Sequence, residues 1–219
     1  MPPTISTSSK TKTIKRDIVP SQKSTHSLLP RAGVLCIAPR TMNAHARQAD
    51  ICITRPIVLV GLMGVGKSTV GRRLAQRLHV SFVDADHEIE QAAGITISEI
   101  FARYGEATFR DGERRVIARL IKGAPKVIAT GGGAFMNEVT RALVLEKCTA
   151  VWIDADINVL AERVGRRDNR PLLKGRDAAA VLTELAAVRN PVYALAPIHV
   201  RSLQGPHDAM VNAILEQLA

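Results

Sequence analysis

The stretch that decides the fold is Ile57-Val58-Leu59-Val60-Gly61-Leu62-Met63-Gly64-Val65-Gly66-Lys67-Ser68-Thr69. Its first four residues are apolar and mostly β-branched, which predicts a strand buried on both faces. The rest matches the spacing G-x-x-x-x-G-K-[ST], and a helical pattern with Val70, Leu74 and Leu78 on one face follows at once. A glycine-rich loop between a buried strand and a helix is the setting in which this pattern binds phosphate.

The chemistry of this loop indicates a nucleotide. Glycines let several backbone N–H groups point at one spot, and the start of the following helix adds partial positive charge there. We expect Lys67 to reach the β- and γ-phosphates and the Ser68 hydroxyl to ligate Mg²⁺. The alternative is a glycine-rich turn that binds nothing. The residues expected to bind ATP in this loop are Gly64, Val65, Gly66, Lys67, Ser68 and Thr69.

Composition predicts one domain with a basic leader. The chain has 219 residues, 46% of them apolar, which suffices for a sizeable core. Of the net charge of +10, residues 1–55 carry +7, so the charge is poor support for nucleic-acid binding by the globular part. We divide the chain into a disordered leader, 1–54, and a domain, 55–219.

The leader leaves three interpretations open. It is rich in Ser, Thr, Lys and Pro and shows no hydrophobic period. It is either a non-functional or mis-started tail ahead of a true start at Met42, a targeting segment, or an interaction arm. We expect a cytoplasmic protein, with the plastid as the alternative if the leader is a transit peptide.

Cysteine usage and hydropathy exclude several classes. Cys36, Cys52 and Cys148 show no C-x-x-C spacing, which indicates a reducing compartment without a disulfide framework or zinc site. No apolar run approaches the roughly 20 residues that span a bilayer, so we expect no membrane partner. The leader also lacks aromatic residues for stacking on bases, and we expect no nucleic-acid partner.

Two carboxylates follow the second predicted strand. Val80–Asp86 is expected to be this strand, with Asp84 and Asp86 on the same side at the carboxyl edge of the sheet, where open α/β sheets bind ligands. One carboxylate would hold Mg²⁺ through water and the other would contact a hydroxyl. The alternative makes Asp86 only the N-cap of the following helix.

An arginine and three glycines come next. A helix ending at Gly105 precedes a long amphipathic helix, Glu106–Lys122, with Arg110 near its start. Such an arginine is often a solvated charge, but its planar guanidinium also suits a carboxylate. The third predicted strand, Lys126–Thr130, ends in Gly131, Gly132 and Gly133, which would let a ligand approach the backbone closely.

The remaining pattern completes an α/β fold. A fourth strand, Val151–Ile153, precedes a helix with Leu160 and Arg163; a helix Ala178–Arg189, a fifth strand Ile198–Val200 and a closing helix His207–Leu218 follow. Between them lies a polar, basic segment, 165–176, which reads as a mobile lid or as a charged surface loop. Five strands alternating with helices predict a parallel sheet with helices on both faces.

Together these motifs resemble the shikimate kinases, of the nucleoside-monophosphate-kinase-like P-loop group. The resemblance covers residues 56–218 and depends on six motifs: Gly61–Thr69, Asp84-Ala85-Asp86, Phe109-Arg110-Asp111-Gly112-Glu113, Gly131–Gly133, Arg170-Pro171-Leu172-Leu173 and Arg189-Asn190-Pro191-Val192-Tyr193. It implies a three-layer P-loop kinase fold and ATP-dependent phosphorylation of the 3-hydroxyl of shikimate, a step toward chorismate and the aromatic amino acids. It also implies Mg²⁺, and we expect a monomer.

The resemblance assigns a role to each matching residue. Asp84 would help to place Mg²⁺ through water, and Lys67, Asp86 and Arg170 would be catalytic. Asp86, Arg110, Arg189 and the backbone of Gly131–Gly133 would bind shikimate, with Phe101 and Phe109 as an aromatic wall. Arg163 would lie against the adenine, and Arg170 would close with the lid over the phosphoryl group.

Rival functions make different demands on the sequence. A sugar-acid kinase of the same fold, such as a gluconate kinase, should lack the joint set of Asp86, Arg110, Gly131–Gly133 and Arg189. A kinase-like regulatory protein would be expected to have lost Lys67 or the aspartates, which are present here.

Overall fold

The computed structural model describes residues 51–165, 177–202 and 207–219. Most of the predicted leader (1–50) and most of the predicted lid (166–176, with Arg170) therefore lie outside the described residues.

The described residues form one parallel five-stranded sheet. Its strands are β1 (Ile57–Val60), β2 (Ser81–Asp84), β3 (Lys126–Ala129), β4 (Thr149–Ala155) and β5 (Ile198–Ser202), in the spatial order β2-β3-β1-β4-β5. All four residues of β1 are buried, as expected for the central strand of a sheet covered on both faces. The predicted five-stranded parallel sheet is confirmed.

One or two helices follow each strand along the chain. They are α1 (Lys67–Arg77), α2 (Ala85–Ala93), α3 (Ile97–Leu120), α4 (Glu138–Lys147), α5 (Ile157–Gly165), α6 (Ala178–Tyr193) and α7 (His207–Leu218), with a 3₁₀ turn at Ala134–Met136. Among the described residues, none of these helices has both the length and the apolar character to cross a membrane.

The second strand is shorter than predicted. It ends at Asp84, whose side chain accepts a 3.1 Å hydrogen bond from the backbone N–H of Asp86 and caps α2. Asp86 therefore lies in the first turn of a helix, and the prediction that both carboxylates share one side of a strand was wrong. The reason is that an aspartate side chain at an N-cap position satisfies an otherwise free helical N–H and turns the chain.

Two predicted helix ends, at Gly105 and at Arg189, are not helix ends in the structure. Gly105 has non-helical angles (φ 78°, ψ 173°) inside α3, so the predicted break is present as a kink. Helix α6 instead continues past its predicted end at Arg189, through Pro191 to Tyr193. Pro191 cannot donate to the carbonyl of Ala187, but both residues are exposed, where water can satisfy that carbonyl.

The core packs on both faces of the sheet, and it includes residues ahead of the predicted domain boundary. Ile51 and Ile53 are partly buried against the main core. Packing therefore begins at least at Ile51, four positions before the expected start at residue 55.

This topology brings three loops together. Strand β3 lies between β1 and β2, and all three run in the same direction. Their carboxyl ends therefore share one edge of the sheet. The phosphate loop follows β1, Asp84 ends β2 and the three glycines follow β3, so all three meet where such sheets bind ligands.

Candidate active site

The phosphate loop presents the open start of a helix. Gly66 caps α1 in the left-handed region (φ 96°), and no side chain caps the helix or places an acidic group in its first turn. The backbone N–H groups there remain available to an anion. The Lys67 ammonium donates to the carbonyls of Gly61 (2.8 Å) and Leu62 (2.9 Å) and so lies along the loop.

A hydroxyl and a carboxylate meet beside this loop. Ser68 Oγ donates a 2.6 Å hydrogen bond to Asp84 Oδ2. Both are oxygen ligands of the type that Mg²⁺ prefers. Among the described residues no group of three or more His, Cys, Asp or Glu side chains is arranged to hold a metal. Two protein oxygens side by side fit Mg²⁺, which is usually bound by one or two protein oxygens and completes its shell with water and substrate phosphate.

Asp86 lies between the nucleotide loop and the predicted acid-binding arginine. Burial raises the pKa of Asp86, and the neighbouring Asp84 carboxylate raises it further. The positive charges of Lys67 and Arg110 act in the opposite direction on the same pKa. A carboxyl group with a raised pKa, placed near both predicted ligand sites, is a typical feature of an active site.

The first and third glycines lie directly against charged side chains. A Cβ atom at Gly131 would lie 2.8 Å from Asp86 Oδ1 and 2.8 Å from Glu113 Oε1. A Cβ atom at Gly133 would lie 2.5 Å from Nη1 of Arg110. Any larger residue at either position would have to displace these charged groups from their places in the site.

The middle glycine, Gly132, lies between Arg189 and the phosphate loop. A Cβ atom at Gly132 would lie 3.3 Å from Nη1 of Arg189, 3.5 Å from the carbonyl oxygen of Gly61 and 3.6 Å from the amide nitrogen of Met63. The glycine loop therefore separates the nucleotide side of the site from the arginines. The structure thus brings together Lys67, Asp86, Arg110, Arg189 and the three glycines.

A buried glutamate holds Arg110. Glu113, 2% exposed, accepts a 2.8 Å hydrogen bond from Nη1 of Arg110, while the exposed Glu106 accepts from Nη2 at 3.0 Å. Burial lowers the pKa of Arg110, but the two carboxylates outweigh it and raise that pKa above its ordinary value. Burial also raises the pKa of Glu113, against the effect of Arg110. Glu113 was not among the predicted site residues, although its i,i+3 spacing from an arginine was a signal.

Phe109 lies under this arginine and packs against Phe101. The rings of Phe101 and Phe109 pack with centroids 4.8 Å apart, and Cζ of Arg110 lies 5.0 Å from the centroid of Phe109. Phe109 is buried in a small core with Ile89 and Ile100. Its observed role is to support Arg110 by a cation–π contact; its predicted contact with shikimate stays a prediction.

Arg163 lies on the nucleotide side. Burial lowers the pKa of His207, and the charges of Arg73 and Arg163 lower it further, so these groups are neighbours. Cε1 of His207 would lie 3.6 Å from a Cβ atom at Gly66. Arg163 therefore lies near His207, which adjoins the phosphate loop at Gly66; its predicted contact with the adenine stays a prediction.

Comparisons with known proteins agree with this geometry. The family model described as "Shikimate kinase" matches residues 63–219. A shikimate kinase of Zymomonas mobilis is 60% identical over 164 residues, 75% of this chain and 93% of that protein, and one of Caulobacter vibrioides is 61% identical over 164 residues, 75% and 82% of the respective chains. The solved shikimate kinase of Acinetobacter baumannii in complex with shikimate is 37% identical with a TM-score of 0.72, covering 75% of this chain and 92% of that one. The chain therefore belongs to the shikimate kinase family.

Proposed function

We propose that this chain transfers the γ-phosphoryl group of ATP to the 3-hydroxyl of shikimate, giving shikimate 3-phosphate and ADP, with the site residues in the roles below. Membership of the family makes the chain an ATP-dependent kinase. One observation carries the assignment of residues: Gly131, Gly132 and Gly133 each lie against a different group of predicted substrate-binding side chains, beside the phosphate loop.

The arginines bind the carboxylate of shikimate in this proposal. Arg110 and Arg189 lie against neighbouring glycines of the same loop, so two guanidinium groups face one small region. Guanidinium groups bind carboxylates through paired, charge-assisted hydrogen bonds. The pair of Arg110 and Glu113 fixes one of them before the substrate arrives.

Asp86 acts on the hydroxyl groups. Its oxygen Oδ1 lies at Gly131, between the arginines and Lys67. There it orients the 3-hydroxyl of shikimate toward the γ-phosphate and accepts its proton as the phosphorus–oxygen bond forms. Phosphoryl transfer depends mainly on alignment and on neutralising negative charge, which Lys67 and Arg170 supply.

Ser68 and Asp84 would hold Mg²⁺, Ser68 directly and Asp84 through water. The bound ion would neutralise phosphate charge during transfer. The backbone N–H groups of Gly64–Thr69 bind the phosphates, and Arg163 packs against the adenine. The segment 165–176 acts as the lid that excludes water.

The other parts of the proposal concern the context of the enzyme. The relatives named above are bacterial proteins, which favours the cytoplasm over the plastid. We also propose that the enzyme acts as a monomer. The leader, 1–54, is proposed to be dispensable for the reaction.

A coupled assay of ADP release tests the function. ADP should appear only when shikimate, ATP and Mg²⁺ are all present. Arg110→Ala should raise the KM for shikimate by about a hundredfold and leave the KM for ATP nearly unchanged, because it removes a charged hydrogen-bonding partner of one substrate only. Equal activity with gluconate would assign the chain to the rival sugar-acid kinases, and equal effects on both KM values would contradict the role of Arg110.

A further inference from the structure

Tyr193 lies in the site but has no assigned role in substrate binding or catalysis. It ends helix α6, one turn after Arg189 on the same face, and its side chain is fully buried. It is one of only two tyrosines in the chain. The hydroxyl of a buried tyrosine usually has a hydrogen-bond partner. The identity of that partner indicates which group the tyrosine positions.

The hydroxyl of Tyr193 reaches the glycine loop. It donates a hydrogen bond to the carbonyl oxygen of Gly132, which is 61 positions away in the sequence. The start of the same loop is fixed separately, because Thr130 Oγ1 donates at 2.9 Å to the carbonyl of Leu59 in β1. The bond from Tyr193 therefore fixes the middle of the loop, where it passes between the phosphate loop and the arginines.

The same hydroxyl adjoins Arg189. Burial raises the pKa of Tyr193 to about 12, against the lowering effect of the positive charges of Arg189 and Arg110. The phenol therefore keeps its proton at neutral pH and remains a donor to Gly132. The Tyr193 hydroxyl thus binds the loop at Gly132, the residue against which Nη1 of Arg189 also lies.

We propose that Tyr193 is a positioning residue for the acid substrate: its hydroxyl holds the carbonyl of Gly132 in place beside the guanidinium of Arg189. This inference assumes the substrate-binding roles of Gly132 and Arg189 proposed above. The residue acts through its neighbours and does not itself touch shikimate. Pro191 does not end the helix at Arg189, and this is why Tyr193 stands on the same face as that arginine.

The decisive change is Tyr193→Phe, which keeps the ring and removes only the hydroxyl. The matched control is Tyr104→Phe, at a position where the side chain is 59% exposed. We expect Tyr193→Phe to raise the KM for shikimate about tenfold and to change the KM for ATP less than about twofold, since one hydrogen-bonding group is lost on one side of the site. The control should match the wild type. A purely structural tyrosine would lower the melting temperature and leave the ratio of the two KM values unchanged, which would overturn the inference.

A double-mutant cycle separates this inference from the proposed function. Tyr193→Phe should have a much smaller effect when combined with Arg189→Ala, because the two residues act together. If Arg189→Ala raises the KM for shikimate while Tyr193→Phe does not, the inference fails and the proposed site stands. If Arg189→Ala has no effect, the proposed role of Arg189 fails and the inference fails with it.

A labelling experiment covers the case in which Tyr193→Phe does not fold. In the Tyr104→Phe variant, 3-fluorotyrosine labels Tyr193 alone. Its ¹⁹F resonance should shift when shikimate is added and should stay unchanged when gluconate is added. An unchanged resonance at saturating shikimate would contradict the proposal.

Discussion

Glu113, with a side chain only 3% exposed, is the buried partner of Arg110 at 2.8 Å, whereas Glu106 contacts the same arginine from a side chain that is 60% exposed. The two carboxylates have the same charge and share one guanidinium. They differ in exposure to water. The buried ion pair with Glu113 is screened far less than the exposed pair with Glu106 and should therefore hold the arginine more firmly.

We expect Glu113→Gln to raise the KM for shikimate by about tenfold, because Arg110 loses the charged hydrogen bond that orients it. Glu106→Gln should change this KM by less than about twofold, as an exposed ion pair contributes little. Steady-state kinetics with each substrate varied in turn provide the measurement. Similar KM values for the two variants would mean that the buried carboxylate does not orient the arginine.

Asp86 gives a prediction in which stability and activity change in opposite directions. Burial and the Asp84 carboxylate raise the pKa of Asp86 in the folded protein. The folded state therefore binds more protons than the unfolded state above the ordinary carboxyl pKa of about 3.9. The contribution of Asp86 to the free energy of unfolding is therefore most favourable below that pH. It is lost as the pH rises through the pKa that Asp86 has in the folded protein.

Asp86→Asn should accordingly melt at a higher temperature than the wild type at pH 7, and the difference should vanish near about pH 4. Its kcat should fall by about a hundredfold, as expected when a group that handles a proton is lost. Asp111→Asn is the control of opposite sign, because hydrogen bonding from Arg114 lowers the pKa of Asp111. A variant at Asp86 that is less stable than the wild type at pH 7 would contradict this account.

The sequence predicted the elements whose signals are local. The strand at Ile57–Val60, the loop before Lys67 and the glycines after β3 each have a pattern within about a dozen residues. The position of Asp86 was misjudged because the choice between a longer strand and a new helix depended on whether the Asp84 side chain would cap that helix. The pattern of apolar and polar residues around Asp84 does not distinguish a longer strand from the start of a helix.

The missed residues depend on contacts over long distances in the sequence. Glu113 is a polar position in an amphipathic helix, and only its packing against Gly131 makes it part of the site. Tyr193 follows a proline, which suggested that the helix had ended, and its partner Gly132 lies on another loop. The order of the strands creates both contacts, and that order is a property of the assembled sheet.

Asp84 should have two separable roles. Asp84→Asn keeps a side-chain oxygen for the N–H of Asp86 and should preserve the cap of α2, whereas Asp84→Ala should lose about 1 kcal/mol of stability. Both variants lose the carboxylate next to Ser68, so both should need more Mg²⁺ for half-maximal activity. Thr96→Ala is the control, because Thr96 caps α3 with a capping box. It should lose stability without a change in the Mg²⁺ requirement.

Magnesium titrations of activity, together with thermal unfolding, measure these two roles. An unchanged Mg²⁺ requirement in Asp84→Asn would contradict the proposed metal role of Asp84. Equal melting temperatures for Asp84→Asn and Asp84→Ala would contradict its role as a cap.

The leader should be dispensable up to the first residues that pack on the domain. The family model matches residues 63–219, and Ile51 and Ile53 are the earliest described residues that contact the core. A chain that begins at Met42 should therefore keep its kcat and both KM values within about twofold. A chain that begins at Thr54 should also lose about 1–2 kcal/mol of stability, because two partly buried isoleucines are removed. Kinetics and thermal unfolding of the three chains compare these cases. A large loss of kcat/KM on removing residues 1–41 would show instead that the leader contributes to catalysis or to substrate binding.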